Sequence, residues 1–494
     1  MNTHGPIDRT LPEPAPFAFT GDSPERPHRY LLTPQEAERG LGLSPEVASV
    51  VVVGGGMSGL ISAYTLRDLN PIVLEQATRF GGNARGESWR GMDYSIGAAY
   101  FSAPDPTSKL LSLYRELGIP ELIREKSSDD PVALGGHIRH GFWNEYPPLS
   151  HYLKRINLGQ DDEFPDIPPL SESQRKRLDE LDRLSLKEHL VQKVGKLPPA
   201  LSTLVDYYCW SSMNAASCEV SAASGLNFLL GETNPIWVAP GGNAALAGRI
   251  LERLCRHLPN GNLRPQSLVF RVKALGPIVE IVYLNAQDEV RKIHAKAVVL
   301  SCPKFVVGRL LDGIESERKT AISKLKYRGY LVANLLLEKV APIDFYDLFV
   351  LGDRPTQFPV TDVIYGNFVS AKPHGTILTL YRPMARDGYR DELLDPNAYQ
   401  RLRSEFEREI ETNLMPLKPF RAAKQVELRI ARWGHPIPVS SQGVFSQKVV
   451  DKIRKPFVQR VFFVEQDNWM TPALETGAIE ALTWETAIRK TIRT

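Results

Sequence analysis

Three glycines, Gly54, Gly56 and Gly59, stand in G-x-G-x-x-G spacing within VVVVGGGMSGLISAY, and a carboxylate, Glu75, follows about 20 residues on. These residue types suit one task. Gly54 permits a tight turn, Gly56 lets backbone approach a pyrophosphate, and Gly59 lets a helix pack closely on a strand. A helix opening at Met57 and Ser58 would aim unpaired N–H groups and the positive end of its dipole at phosphate oxygens. Glu75, with Gln76 beside it, would accept hydrogen bonds from ribose hydroxyls, and its charge would repel a 2′-phosphate. The chemistry expected is dinucleotide binding.

Those residues work only if a strand, a turn and a helix hold them. Val50–Val53 is continuously apolar, as befits a central parallel strand covered on both faces, and Ser49–Arg85 reads as strand, glycine turn, helix and second strand. APGGNAALAGRILERLC, from Ala239, is another glycine turn feeding a helix. SLVFRVKAL, PIVEIVYL and EVRKIHAKAVVLSCP then read as an antiparallel meander that returns to the sheet. Leu110 to Gly225 is mostly helical, broken by DEFPDIPPL, whereas residues 306–429 mix helix with strands at Tyr330–Glu338 and Thr376–Arg382. A last strand, Val461–Val464, precedes a closing helix. Residues 1–47 hold eight prolines and no sustained apolar period, so this extension is expected to lie across the main body or stay without fixed structure. A short helix within Leu32–Glu46, capped by Thr33 with Pro34 at its first position, is the one element expected there.

The bulk properties narrow the function. At 494 residues the chain should form two to four domains. With 43% hydrophobic residues, 24% charged residues and a net charge of +3, it offers no basic surface for nucleic acid. No stretch reaches the roughly 18 apolar residues of a membrane span, and neither a signal-peptide core nor a twin-arginine pair opens the chain, so a cytoplasmic location is expected. Cys209, Cys218, Cys255 and Cys302 form no CxxC and read as free thiols. HIRH (His137–His140) lacks a third ligand nearby, so no metal is expected, and no G-x-S-x-G suggests hydrolysis.

Directly after the acidic strand, Arg79, Gly81, Gly82 and Arg85 form R-x-G-G-x-x-R, with Asn83 and Ala84 inside it. With DYSIGAAYF (Asp93–Phe101), APGGNAALAGRIL and SLVFRVKAL, this resembles the flavin-containing amine oxidase superfamily, which includes amine oxidases, phytoene-type desaturases and protoporphyrinogen oxidase. The resemblance implies an α/β fold: a Rossmann-like FAD-binding domain of the glutathione-reductase and amine-oxidase type, with a mixed α+β substrate domain. It assigns residues 48–110, 225–305 and 430–494 to the FAD domain, and 111–224 and 306–429 to the substrate domain. It implies that the double glycine passes close to the FAD diphosphate, that Gly97, Ala98, Ala99 and Tyr100 lie beside the isoalloxazine, and that Val269 holds the adenine through its backbone. FAD is expected to be non-covalent, since no cysteine falls in the C-terminal segment.

The last family motif, F-A-G-[DE] before G-A-I-x-S-G, is altered. Val464, Glu465 and Gln466 replace A-G-[DE], with Asp467 one step later, so either Gln466 or Asp467 is expected on the ribityl chain. Thr476, Gly477 and Ala478 fit the helix, whose N-terminus would face the flavin N1–O2 edge. Where many amine oxidases carry a lysine, YRGYLVANLLLE places Ala333, beside Asn334; where many hold two aromatics, it offers Phe445 and Leu474. Trp433, His435 and Trp469 are further candidates for the walls of a substrate pocket. No catalytic base is assigned. The expected activity is removal of a hydride from a C–N bond of a small amine or amino-acid-derived metabolite, with re-oxidation by oxygen or another acceptor. A desaturase or isomerase acting on an apolar substrate, and a flavin protein without turnover, are the alternatives. A small-molecule substrate is the expected partner, and peripheral membrane contact and a homodimer stay open.

Overall fold

The structure is a computed structural model that describes residues 11–13, 18–32, 42, 44–126, 130–157, 166–169, 171–231, 234–352 and 358–493. The helix expected from Thr33 onward lies outside the described residues, as does most of DEFPDIPPL.

Two sheets organise the molecule. In the first, Glu46–Val53 lies between Ile72–Leu74 and Val290–Leu300, parallel to both. Leu263–Arg264 extends the Ile72–Leu74 edge. The long strand Val290–Leu300 carries the meander Leu268–Leu275 and Ile278–Leu284 antiparallel along its first half, and Val461–Phe463 parallel along its last three residues. Val50, Val51 and Val52 are fully buried, as a strand covered on both faces must be. The helices Met57–Thr65, Asn243–His257 and Leu474–Arg493 bury Leu60, Ile61, Leu246, Ile250 and Ala478 in one cluster against this sheet.

The second sheet has eight strands, in the order Thr20–Gly21, Gln425–Trp433, Tyr330–Leu337, Thr376–Pro383, Asp362–Tyr365, Asp347–Leu351, Val132–Leu134 and His137–Arg139. Alternation along Tyr330–Leu337 divides its two faces. Leu331, Ala333, Leu335 and Leu337 pack with Leu402 and Phe406 of the helix Ala398–Glu409. Tyr330, Val332 and Leu336, with Tyr381 and Trp433, pack instead on Trp89, Tyr94, Ile96 and Ala99, beside the glycine-turn segment. Among the described residues no helix is long and apolar enough to cross a membrane.

The Pro-rich extension lies across the body where it is described. Thr20–Gly21 adds a parallel strand to Ala431–Arg432, and the helix Glu25–Leu32 buries Tyr30 against Leu268, Phe270, Val282 and Leu284 of the meander.

Candidate active site

Each glycine of the turn has its own steric reason. Gly54 has φ +106°, and a Cβ there would lie 2.5 Å from the Ser301 carbonyl oxygen. A Cβ on Gly59 would sit 1.9 Å from the Gly54 oxygen, so helix and strand could not close. Gly56 differs. A Cβ there would meet nothing nearer than Gly82 Cα at 3.6 Å, so the protein leaves room at this position for something else. Gly56 also caps the helix Met57–Thr65 without any side-chain hydrogen bond, leaving the helix N-terminus open beside that room.

Glu75 ends the second strand, buried, with its two oxygens accepting the Gly55 N–H at 2.6 Å and the Ala77 N–H at 2.7 Å. Burial pushes its carboxyl up, and these N–H groups and Arg85 oppose the shift. A carboxylate has about four acceptor positions, so two are left for hydroxyls. The Glu75 carbonyl accepts the Ser267 N–H at 2.7 Å, which brings the meander alongside. There the ladder is irregular between Val269 and Arg271, the position expected to meet an adenine. Gln76 is exposed at this edge.

The R-x-G-G-x-x-R loop lies directly on the turn. Gly81 donates to the Gly55 carbonyl at 2.8 Å, and a Cβ on Gly82 would lie 3.0 Å from Gly56 Cα. Arg79 is half-buried. Arg85 donates to the Gly82 carbonyl at 3.0 Å and lies 4.7 Å from the centroid of the Trp433 ring. Its guanidinium is 3.6 Å from Asp22, which also accepts the Gly434 N–H at 2.9 Å. Asp22 comes from the extension, and nothing in that Pro-rich segment marked it beforehand.

Residues 95–99 are held from the second sheet. Tyr381 donates its hydroxyl to the Gly97 carbonyl at 2.7 Å, Trp433 its indole N–H to Ile96 at 2.7 Å, and Asn334 its amide to Ser95 at 3.1 Å. The Ala98 N–H bonds the Asn83 carbonyl at 3.0 Å, and a Cβ on Gly97 would collide with that oxygen. The Asn83 amide and the Gln466 amide both donate to the Pro436 carbonyl, the latter at 2.8 Å. One continuous face results, made of half-buried Gly56, Met57, Ser58, Gly82, Asn83, Arg85, Gly97 and Gln466, with Ala98 exposed and Tyr100 half-buried at its end. Behind it, Gly59, Gly81, Ala84, Ala99, Thr476, Gly477 and Ala478 are buried. Gly477 brings the closing helix against the turn helix, since a Cβ there would meet Ser58 Oγ at 2.1 Å.

Four expectations need correction. Asp467 is 1% exposed and turns inward, its side-chain oxygen accepting from the Lys304 N–H and the Tyr327 hydroxyl, so of the two ribityl candidates only Gln466 faces the site. Phe445 is fully buried in the core near Asp182, and Trp469 is buried with its N–H on Glu480, so neither forms a pocket wall. Ala333 points toward the helix Ala398–Glu409, and its neighbour Asn334 occupies the face toward residues 95–99, bonded by Thr379 at 2.7 Å. His435 stacks on Phe305 at 4.2 Å and is half-buried, while Leu474, also half-buried, begins the closing helix. Burial lowers the His435 imidazole to about 3, so it is neutral near pH 7. Lys304 and Tyr327 have no counterpart in the sequence reading, and Glu465 enters it only as a replacement within A-G-[DE]; the signal for Lys304 is a lone cation just past the buried strand, in VVLSCPKF.

A glycine turn at the end of a central parallel strand, a buried carboxylate at the end of the next and a helix N-terminus open beside them make a Rossmann-like α/β architecture. Residues 52–117 match the family model of an NAD(P)-binding Rossmann-like domain. The oxidoreductase PigB of a Serratia species is 23% identical over 510 residues, 89% of this chain and 75% of that protein. Flavin-containing amine oxidase B of Cavia porcellus is 31% identical over 274 residues, 51% of this chain and 50% of that protein, so the chain spans about half the length of this relative. The solved cyclohexylamine oxidase of Brevibacterium oxydans superposes with a TM-score of 0.66 at 17% identity, covering 90% of this chain and all of that one, a likeness of fold. Over about half of its length the chain is similar to flavin-containing amine oxidases, and over most of it the fold is that of a solved amine oxidase.

Proposed function

We propose that the chain is an FAD-dependent oxidoreductase that oxidises a C–N bond of a small amine or amino-acid-derived metabolite by removing a hydride from its carbon. The observation that carries the cofactor is the room at Gly56, bounded by an uncapped helix N-terminus and by Glu75. The residues fit the group: N–H donors for a diphosphate, a carboxylate with acceptor positions left for ribose, and a ladder irregularity at Val269 beside it. Bound non-covalently, FAD would supply the two-electron acceptor for the hydride.

The chain's own residues have positioning tasks. Arg85, fixed by Asp22, Gly82 and Trp433, holds positive charge beside the phosphate loop. Tyr381, Trp433 and Asn334 fix residues 95–99 against the second sheet, where the reacting end of a cofactor would lie. Neutral His435 can accept a hydrogen bond from a substrate ammonium without repelling it. The choice of an amine is supported by the kinship with flavin-containing amine oxidases. In this reading the substrate lies between residues 48–110, 225–305 and 430–494 on one side and 111–224 and 306–429 on the other, and the protein works in the cytoplasm.

Anaerobic mixing of the flavin-loaded protein with a panel of amines and polyenes tests the reading. Bleaching of the flavin by an amine supports it. Bleaching by a polyene and by no amine would transfer the proposal to C–C desaturation, and a flavin that nothing reduces would favour a protein without turnover.

A further inference from the structure

Glu465 and Asp467 flank Gln466, and both turn inward from the face that Gln466 shares with Asn83 and Pro436. Lys304, fully buried at the start of the helix Lys304–Leu310, gives its ammonium to Glu465 and to the Asn468 side-chain oxygen, and its backbone N–H to Asp467 at 2.9 Å. The Tyr327 hydroxyl donates to the same Asp467 oxygen, and the Asp467 N–H bonds Glu465 at 2.6 Å. One buried ammonium neutralises only one of two buried carboxylates, and an uncompensated charge there is costly, so one of the pair takes up a proton.

The surrounding charges leave that pair to itself. Glu480, reached through Asn468, is closed by a two-pronged contact with Arg454. Arg318 lies over the Phe463 ring at 4.7 Å and bonds Glu315, and the Lys304 ammonium lies over the same ring at 4.9 Å. Burial pushes the neighbouring Cys302 thiol up to about 12, so it stays neutral, as does His435 behind Phe305. What is left is one ammonium against two carboxyl groups.

We propose that Glu465 and Asp467 share a single proton beside Lys304, and that this pair keeps the charge behind the cofactor face at zero, making it the positioning group that sets how readily a flavin there accepts negative charge. The proposal rests on the FAD reading above. Loss of the shared proton places one uncompensated negative charge behind Gln466 and disfavours the reduced, anionic cofactor. Burial first, and the neighbouring Asp467 second, push Glu465 up to about 8, so that loss falls above neutral pH.

The test is the midpoint potential of the bound flavin across pH, in the wild type and in Glu465→Gln. The wild type should show an extra downward step as pH rises through the titration of the pair, and the variant should keep its flavin and lose the step. A step unchanged in the variant, or none in the wild type, overturns the proposal. Should the variant bind no flavin, infrared difference titration of the two apoproteins decides whether the proton is shared. A protonated-carboxyl signal present at neutral pH in the wild type, missing in the variant and lost at higher pH supports it; identical signals defeat it. A wild-type protein that takes up no flavin overturns the tuning role together with the cofactor reading, whereas flavin that binds but shows no step overturns the tuning role alone.

Discussion

A Cβ on Gly56 fits the protein, and a Cβ on Gly59 does not, although both belong to one motif. The two substitutions should therefore fail differently. Gly56→Ala should fold with little loss of thermal stability yet bind FAD at least tenfold more weakly, since the methyl occupies the room left for the phosphates. Gly59→Ala should lose stability before any effect on FAD can be read, because its methyl meets backbone at 1.9 Å. Flavin fluorescence titration beside a melting curve separates the two. Glu75→Ala removes charged acceptors worth about 1.5–3 kcal/mol each, so FAD affinity should fall by at least about tenfold. Unchanged affinity would remove Glu75 from the ribose site. Tyr381→Phe takes away the hydroxyl that holds the Gly97 carbonyl and should cost about 1 kcal/mol in urea unfolding.

At the scale of elements, the nucleotide-binding half was legible because its signals are local. A continuous apolar strand, glycines at fixed spacing and a carboxylate at the next strand's end constrain one another over a short stretch. The second half resisted for a physical reason. Every residue of Tyr330–Leu337 is buried, so no polar alternation shows which side chains face the site; the structure turns the pocket candidate Asn334 toward residues 95–99 and its neighbour Ala333 toward the helix behind. Asp467 misled for a related reason: the acid expected in the motif is present, but Lys304, distant in sequence, draws it inward. Phe445 and Trp469 lie in the core, and aromatic type alone does not distinguish a wall from a core. The Lys304 cluster also makes a prediction at this scale. Lys304→Met leaves two buried carboxyl groups without their cation and should destabilise the protein by about 3–5 kcal/mol at neutral pH, measured by urea unfolding. The loss should shrink at low pH, where both groups are protonated.

For the molecule as a whole, the extension works as a strap between the two sheets. Thr20–Gly21 joins the second sheet, Asp22 meets Arg85, and Arg26 donates to the Gln266 carbonyl and to Asp288 of the meander, each at 2.8 Å. Deleting residues 1–32 should therefore lower both the melting temperature and FAD affinity, and Asp22→Ala should reproduce part of the affinity loss. Global stability should also depend on pH through Glu465. Its folded value, about 8, lies above the ordinary carboxylate range, so the native state keeps a proton that the unfolded chain releases. That contribution is complete at low pH and is lost as pH rises through about 8. Unfolding of the apoprotein below and above this value should show it, and Glu465→Gln should flatten the difference. The central claim is FAD held without a covalent bond, and the visible absorption spectrum of the purified protein tests it most directly. A two-banded flavin spectrum that leaves with the small-molecule fraction on denaturation, and returns when FAD is added to the apoprotein, is the expected result. A colourless protein that takes up no added FAD would contradict the account.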